Sequence, residues 1–396
     1  MKRTLLTRTA CLLLTAGLLA SCDDSDKPAP APELTPAQKL SGIYSNKSFT
    51  YPEKSLQLDY HSWSLTGCEA ELRTEDLKTG TLVLKKVFPG EDEVTISDLA
   101  LTYNKNQGRY DIERRRNVTT PGGTKFSMGY TNYVQEGTLS VSLGSVVFPD
   151  NIFNKNAEGT DWWDMKPLQP DFTGCLHMRW KVTPGTYRVP NPETGEMEDF
   201  VVTEEEAENP GDIMNLVPML ANQLLPMFLQ KVRFRNAGIL QAHYSSDALT
   251  SETGPTYQTS PSANLCHFYV RDGKLYVVPR LDMIFQQIKA DQTKATSVNL
   301  EDILAAINLA DRWLSKDGIP FTIRENNDAD HSVTIYLGTD QMLPLLKLLP
   351  LLKDAITDPT LGVLLGGMIE KLARYVPITE EFEIGLNLVP GTAPAN

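Results

Sequence analysis

The sequence predicts an α+β fold, antiparallel and β-rich, in two domains, the second with its strands packed on long Leu/Met-rich helices. Three observations lead there. Short alternating apolar runs recur between turn residues, as in residues 137–147 (GTLSVSLGSVV), where Leu139, Val141 and Leu143 alternate with Thr138, Ser140 and Ser142. Two stretches of leucine and methionine with internal prolines, residues 213–229 (IMNLVPMLANQLLPMFL) and 342–372, stand apart from this pattern. A Pro/Gly-rich and then acidic composition shift between residues 185 and 210 separates the first run of strands from the second part.

Residues 1–21 are expected to be a leader. Lys2, Arg3 and Arg8 are its basic part, and residues 11–20 (CLLLTAGLLA) are apolar but too short to span a membrane. The order Leu19-Ala20-Ser21-Cys22 resembles the bacterial lipobox. That likeness implies cleavage before Cys22, lipidation of Cys22 and a membrane tether; an ordinary secretory signal with a chance cysteine is the alternative. Residues 22–40 then read as an acidic and Pro-rich tether, with PAPAPELTP at 28–36 as a semi-rigid spacer.

The first domain, residues 41–185, reads as strands at 82–88, 94–103, 109–115, 126–134, 137–147 and 175–182, with a loop at 148–170 that carries Trp162 and Trp163. The second, residues 205–390, begins with the first Leu/Met-rich helix, capped by Asp212 and interrupted by Pro218 and Pro226. Two strands follow around Asn236-Ala237-Gly238, and the clearest hairpin of the chain surrounds Asp272-Gly273. Residues 281–290 and 300–314 have helical spacing, 319–324 and 332–337 read as a strand pair, and 378–388 as a final strand.

Composition excludes some function classes. A net charge of −13 is the wrong sign for a nucleic-acid reader. None of His61, His177, His243, His267 and His331 has a second histidine or a cysteine at metal-ligand spacing, so neither metal nor cofactor is expected. Asn327-Asp328-Ala329-Asp330 lacks the glycine and glutamate of an EF-hand loop and reads as a polar turn. Nucleophile-elbow and phosphate-loop motifs are absent from the sequence. Cys68, Cys175 and Cys266 are an odd, widely spaced set, either buried thiols or one pair and a remainder.

The Leu/Met-rich stretches admit two readings. Lys347, Lys353, Asp354 and Asp358 argue against a membrane span in the second. Such segments either form ordinary core helices or line a cavity for an apolar ligand, which methionine-rich, proline-broken helices suit. In the cavity reading, Met214, Leu225, Met227, Phe228, Met342, Leu346, Leu349 and Met368 are the candidate ligand-binding residues. Trp162 and Trp163 are candidates for stacking on a glycan or partner, against the alternative of packing on a sheet.

The lipobox with Asp23-Asp24-Ser25-Asp26, the GTLVLKKVFPGE strand-turn and the NLCHFYVRDGKLYVVPRLDMI hairpin together resemble lipoproteins of gut Bacteroidetes, some with barrel folds similar to calycins or to bactericidal/permeability-increasing lipid-binding proteins. The resemblance implies a non-enzymatic cell-envelope lipoprotein, anchored to the outer membrane through Cys22 on its periplasmic face or at the cell surface, with a hydrophobic or lipid-like ligand. The alternative is a structural or adhesion lipoprotein that binds a glycan or a protein.

Overall fold

The structure, a computed structural model, describes residues 34–47, 52–149, 151–171, 173–190, 196–247, 254–260, 265–280, 318–346 and 372–394. Of these, 50% are strand and 14% helical, and the strands close into two β-barrels.

The first sheet contains β1 (Gly42–Ser45), β2 (Ser55–Tyr60), β3 (Trp63–Ser64), β4 (Glu69–Arg73), β5 (Thr79–Lys85), β6 (Glu93–Asn104), β7 (Arg109–Ile112), β8 (Asn117–Thr119), β9 (Lys125–Met128), β10 (Tyr133–Gln135) and β11 (Thr138–Val147). The ring β2-β1-β4-β5-β6-β7-β10-β11 closes where β11 pairs in parallel with β2, from Thr138↔Ser55 to Leu143↔Tyr60. The other neighbours around this ring are antiparallel apart from β1 and β2. Period-two burial makes the wall: Leu56, Leu58 and Tyr60 point in, while Ser55, Gln57 and Asp59 point out. β6 is long enough to need a bend, and it bends at Asp98, where φ is +56° and the register with β5 shifts between Gly80 and Leu82. A short helix, α1 (Pro36–Leu40), is fixed by a capping box between Thr35 and Gln38 and sets Leu40 into this core. The final part of the segment expected as tether thus belongs to the barrel.

The second sheet begins with β12 (Trp162–Met165) and β13 (Leu176–Val182). A separate hairpin, β14 (Gly185–Pro190) and β15 (Met197–Val202), then leads into α2 (Glu204–Glu208) and α3 (Ile213–Phe228). The sheet resumes with β16 (Leu229–Arg235), β17 (Ile239–Ser245), β18 (Tyr257–Thr259), β19 (Cys266–Arg271), β20 (Lys274–Pro279), β21 (Ile319–Glu325) and β22 (Val333–Leu337). After α4 (Thr339–Leu346), β23 (Thr379–Pro390) completes it. Here the ring is β12-β16-β17-β19-β20-β21-β22-β23, closed by β12 on β23. β12 and β13 lie one after the other along the same edge of β23, pairing with 388–390 and 379–386. Of the two, β12 alone reaches β16.

The expected strands on long helices are therefore corrected. Each sheet curls until its apolar face covers itself, so it needs no helical layer. Of the two Leu/Met-rich stretches, the first is α3, a single 16-residue helix with Pro218 and Pro226 inside it, and the second is described only as the 8-residue α4 and from Leu372 onward. The expected helices at 281–290 and 300–314 lie outside the described residues. The change of sheet falls between Val147 and Trp162; the composition shift at 185–210 marks β14, β15 and α2 instead.

The barrels share a core. Ala237, Ile239 and Tyr269 of the second barrel are buried in the hydrophobic cluster of the first, with Tyr276 and Val278 packed on it. Alternation along β19 explains this: His267 and Tyr269 face the first barrel, while Phe268 and Val270 face the interior of their own. The turn that brings β17 there needs a glycine. Gly238 has φ +67°, and a Cβ on it would stand 2.7 Å from the Phe148 ring and 2.8 Å from the Phe268 carbonyl.

Candidate apolar site in the second barrel

The inner walls of the two barrels differ in cover. In the first, the large inward side chains are almost wholly enclosed: Tyr44, Tyr60, Leu72 and Leu82 are each 0% exposed. In the second, Phe234, Phe268, Leu275 and Leu388 form a buried floor. Stacked rings order it, with Phe234 4.3 Å from Phe153 and edge-on to Phe268 at 5.1 Å. Above that floor Leu240, Val270, Val277, Phe321, Ile323 and Leu386 pack on the cluster yet stay part-exposed. An apolar wall left partly uncovered on β17, β19, β20, β21 and β23 is the strongest candidate for a ligand surface among the described residues.

α3 stands beside it. Because β13 does not pair with β16, the wall there is completed by α3, which touches β13, β16 and β17. Asn222, 2% exposed, fixes the helix: its Oδ1 accepts the Leu176 amide at 2.6 Å and lies 3.5 Å from Cys175 Sγ. Gly174 permits this approach, since a Cβ there would meet Asn222 Cγ at 2.9 Å. Leu225 packs toward the barrel core and Val217 toward a second cluster around Trp180 and Tyr375. Leu216, Leu220, Leu224 and Phe228 instead form an exposed stripe at four-residue spacing, between 37% and 44% exposed. No charged residue occurs in Ile213–Phe228.

Of the residues singled out by sequence, Leu225 reaches the core of the second barrel, Met227 is part-buried and Phe228 lies on the exposed stripe. Met214 is in α3, described there by its backbone only. Met342 and Leu346 of α4 join the cluster of Trp180, Tyr375 and Phe382, not the barrel interior. Cys22, Leu349 and Met368 lie outside the described residues.

Trp162 and Trp163 are placed differently from the expected loop. They sit in β12, 5% and 4% exposed. Trp163 donates from Nε1 to the Phe153 carbonyl at 3.1 Å, and the Arg233 guanidinium lies over the Trp162 ring at 5.3 Å. Neither ring has a face free for a sugar. The pattern Trp-Trp-Asp-Met hid the strand because both faces are covered there, which erases alternation.

The wall residues themselves were missed as a site, since Val277, Ile323 and Leu386 look like ordinary strand residues. One polar group that sequence did not join is on the outer wall. His177 Nε2 lies 2.7 Å from Glu383 Oε2, Arg324 Nη1 lies 3.8 Å from the same oxygen, and Tyr336 packs against both His177 and Arg324. Burial pulls the His177 pKa down against the pull of Glu383, so the imidazole is neutral at pH 7. The group has the makeup of a structural ion network, with no hydroxyl or thiol nucleophile hydrogen-bonded to His177 among the described contacts. Among the described residues, no three His, Cys, Asp or Glu side chains are grouped to hold a metal ion.

The three described cysteines are in no disulfide. No described helix is long and apolar enough to cross a membrane. No family model, curated protein or solved structure matches the chain, so the barrels and their lining are what any reading of function rests on.

Proposed function

We propose that this protein is a non-catalytic cell-envelope lipoprotein that holds a hydrophobic or lipid-like ligand against the inner wall of its second barrel. One observation carries the reading: Val270, Val277, Phe321, Ile323 and Leu386 face that barrel's core and remain part-exposed, while the first barrel encloses its lining. Leaving apolar area in water forgoes about 25 cal/mol per Å², so a wall of this kind is stabilised by an apolar molecule that covers it. The uncharged α3 stripe extends the same surface outward. Lipidation at Cys22 and an outer-membrane address rest on the lipobox likeness alone.

Native mass spectrometry of the delipidated protein tests the reading. Adducts of acyl-chain mass are expected, and they should fall by at least tenfold when Val277 and Ile323 are both changed to Asp. A protein that emerges empty and takes up no fatty acid in titration would overturn it. The adhesion alternative loses its proposed contact, because Trp162 and Trp163 are buried.

A further inference from the structure

The junction between the barrels holds an unusual set of side chains. His267 of β19 is 0% exposed and stacks on Tyr60 of β2, ring centroids 5.3 Å apart. Among the described residues, neither of its nitrogens has a hydrogen-bond partner. A neutral imidazole always carries one N–H, so the closed junction leaves at least one donor unmet. Around it stand Tyr60, whose hydroxyl donates to the Ala237 carbonyl at 2.8 Å, Cys68 and Arg280. Arg280 reaches into the first barrel, donating to the Thr66 and Lys86 carbonyls at 2.5 and 3.3 Å and lying 3.3 Å from Cys68 Sγ.

A second histidine repeats the arrangement from the other side. His61 sits in the two-residue turn between β2 and β3, with φ +50°, and its ring is edge-on to Trp63 at 6.4 Å. The Arg235 guanidinium of β16 lies over Trp63 at 4.6 Å and close enough to disfavour a charge on His61. Behind Arg235 are Arg233 and Asp161, themselves paired at 2.9 Å. A third arginine, Arg271, donates to the Gly90 carbonyl at 2.6 Å. The junction is thus fastened by three arginines from one barrel onto carbonyls and an indole of the other, with a histidine beside two of them.

We infer that the junction is an acid-released latch: protonation of His267 and His61 parts the two barrels while each keeps its own closed sheet. A proton on His267 would have no acceptor and would face Arg280; one on His61 would face Arg235. Burial, and then the neighbouring arginine, lowers both pKa values from the ordinary histidine range. The sign follows directly. Histidines whose protonation the closed form resists favour closure above about pH 6.5, and below it the parted form binds protons that the closed form does not. His267, wholly enclosed, raises the parted population up to about tenfold per pH unit; His61, only part-buried, adds less.

The chain carries its own reporters. Cys68 lies at the junction against Arg280, and Cys175 lies inside the second barrel against Asn222. The full chain is labelled with 4,4′-dithiodipyridine from pH 7.5 to 4.5, and each cysteine is assigned by peptide mass. Relative to Cys175, labelling of Cys68 should accelerate up to about tenfold per pH unit below 6. His267→Phe keeps a ring on Tyr60 and cannot titrate; it should flatten that slope by about tenfold per unit and raise resistance to urea at pH 7.5. A Cys68 rate that follows Cys175 at every pH would overturn the latch, as would an unchanged slope in His267→Phe. The wild-type ratio decides the matter even if the variant does not fold.

Discussion

Two rings of eight strands, built from one chain, end with different interiors. In the first, tyrosines and leucines meet across the lumen, and Tyr44, Tyr60 and Leu82 are wholly buried. In the second, the lining is mostly Val, Ile and Leu above a phenylalanine floor, and it stays part-exposed. Strand number fixes how wide a barrel is; the volume of the inward side chains decides whether that width is filled. The difference separates a module that holds shape from one with spare apolar surface.

Truncation should break this comparison most visibly. Leu82→Ala in the first barrel is expected to cost about 2–5 kcal/mol, since it leaves a cavity in a closed core. Leu386→Ala in the second should cost about half as much, because part of that side chain is already in water. Urea midpoints with an unchanged slope measure both; equal losses would remove the distinction. Enlargement should sharpen it from the other direction. Leu84→Phe is expected to strain the first barrel by about 1–3 kcal/mol, while Ile323→Phe should be close to neutral and reduce uptake of an apolar ligand.

Two smaller effects probe the rims and thiols. Asp328 sits in the β21–β22 loop; burial opposes its charge, but the Ser332 hydroxyl and amide and Lys166 pull its pKa down to about 2. Its contribution to the second barrel is present above the ordinary carboxylate range and is lost as pH falls toward 2. Asp328→Asn should therefore destabilise by about 1 kcal/mol or less at pH 7 and by nothing at pH 2, read as the shift in urea midpoint. Burial pushes the Cys175 thiol up to about 11. It should not react with iodoacetamide at pH 7.5 until the protein is unfolded, which labelling with and without urea will show.

Local structure was legible where local chemistry decides it. Asp272 and Gly273, with φ of +51° and +71°, make the two-residue turn that the sequence announces, and Gly238 ends the turn at 236–238. Ring closure was not legible. It depends on Ser55 meeting Thr138 and on Trp163 meeting Pro390, pairs with no signature in composition or period. Without closure, apolar sheet faces need helices to cover them, which is why the sequence points to a helical layer. The site suffered the same blindness: Val277, Phe321 and Ile323 read as core until their exposure is known, whereas the conspicuous Trp162 and Trp163 are the ones that pack.

The edge that β23 supplies also sets an order of assembly. The first barrel closes between residues 55 and 143, but β13, made early, waits for 379–386 to gain a partner strand, and β12, paired with β16, waits for 388–390 to close the ring. Loop-closure entropy makes so distant a pairing slow. During synthesis the first barrel has all its strands while the second still lacks the strand that joins β22 to β12, so its half-formed edges stay open to wrong partners the longest. A ribosome stalled before residue 379 would present one finished barrel and one unsealed sheet.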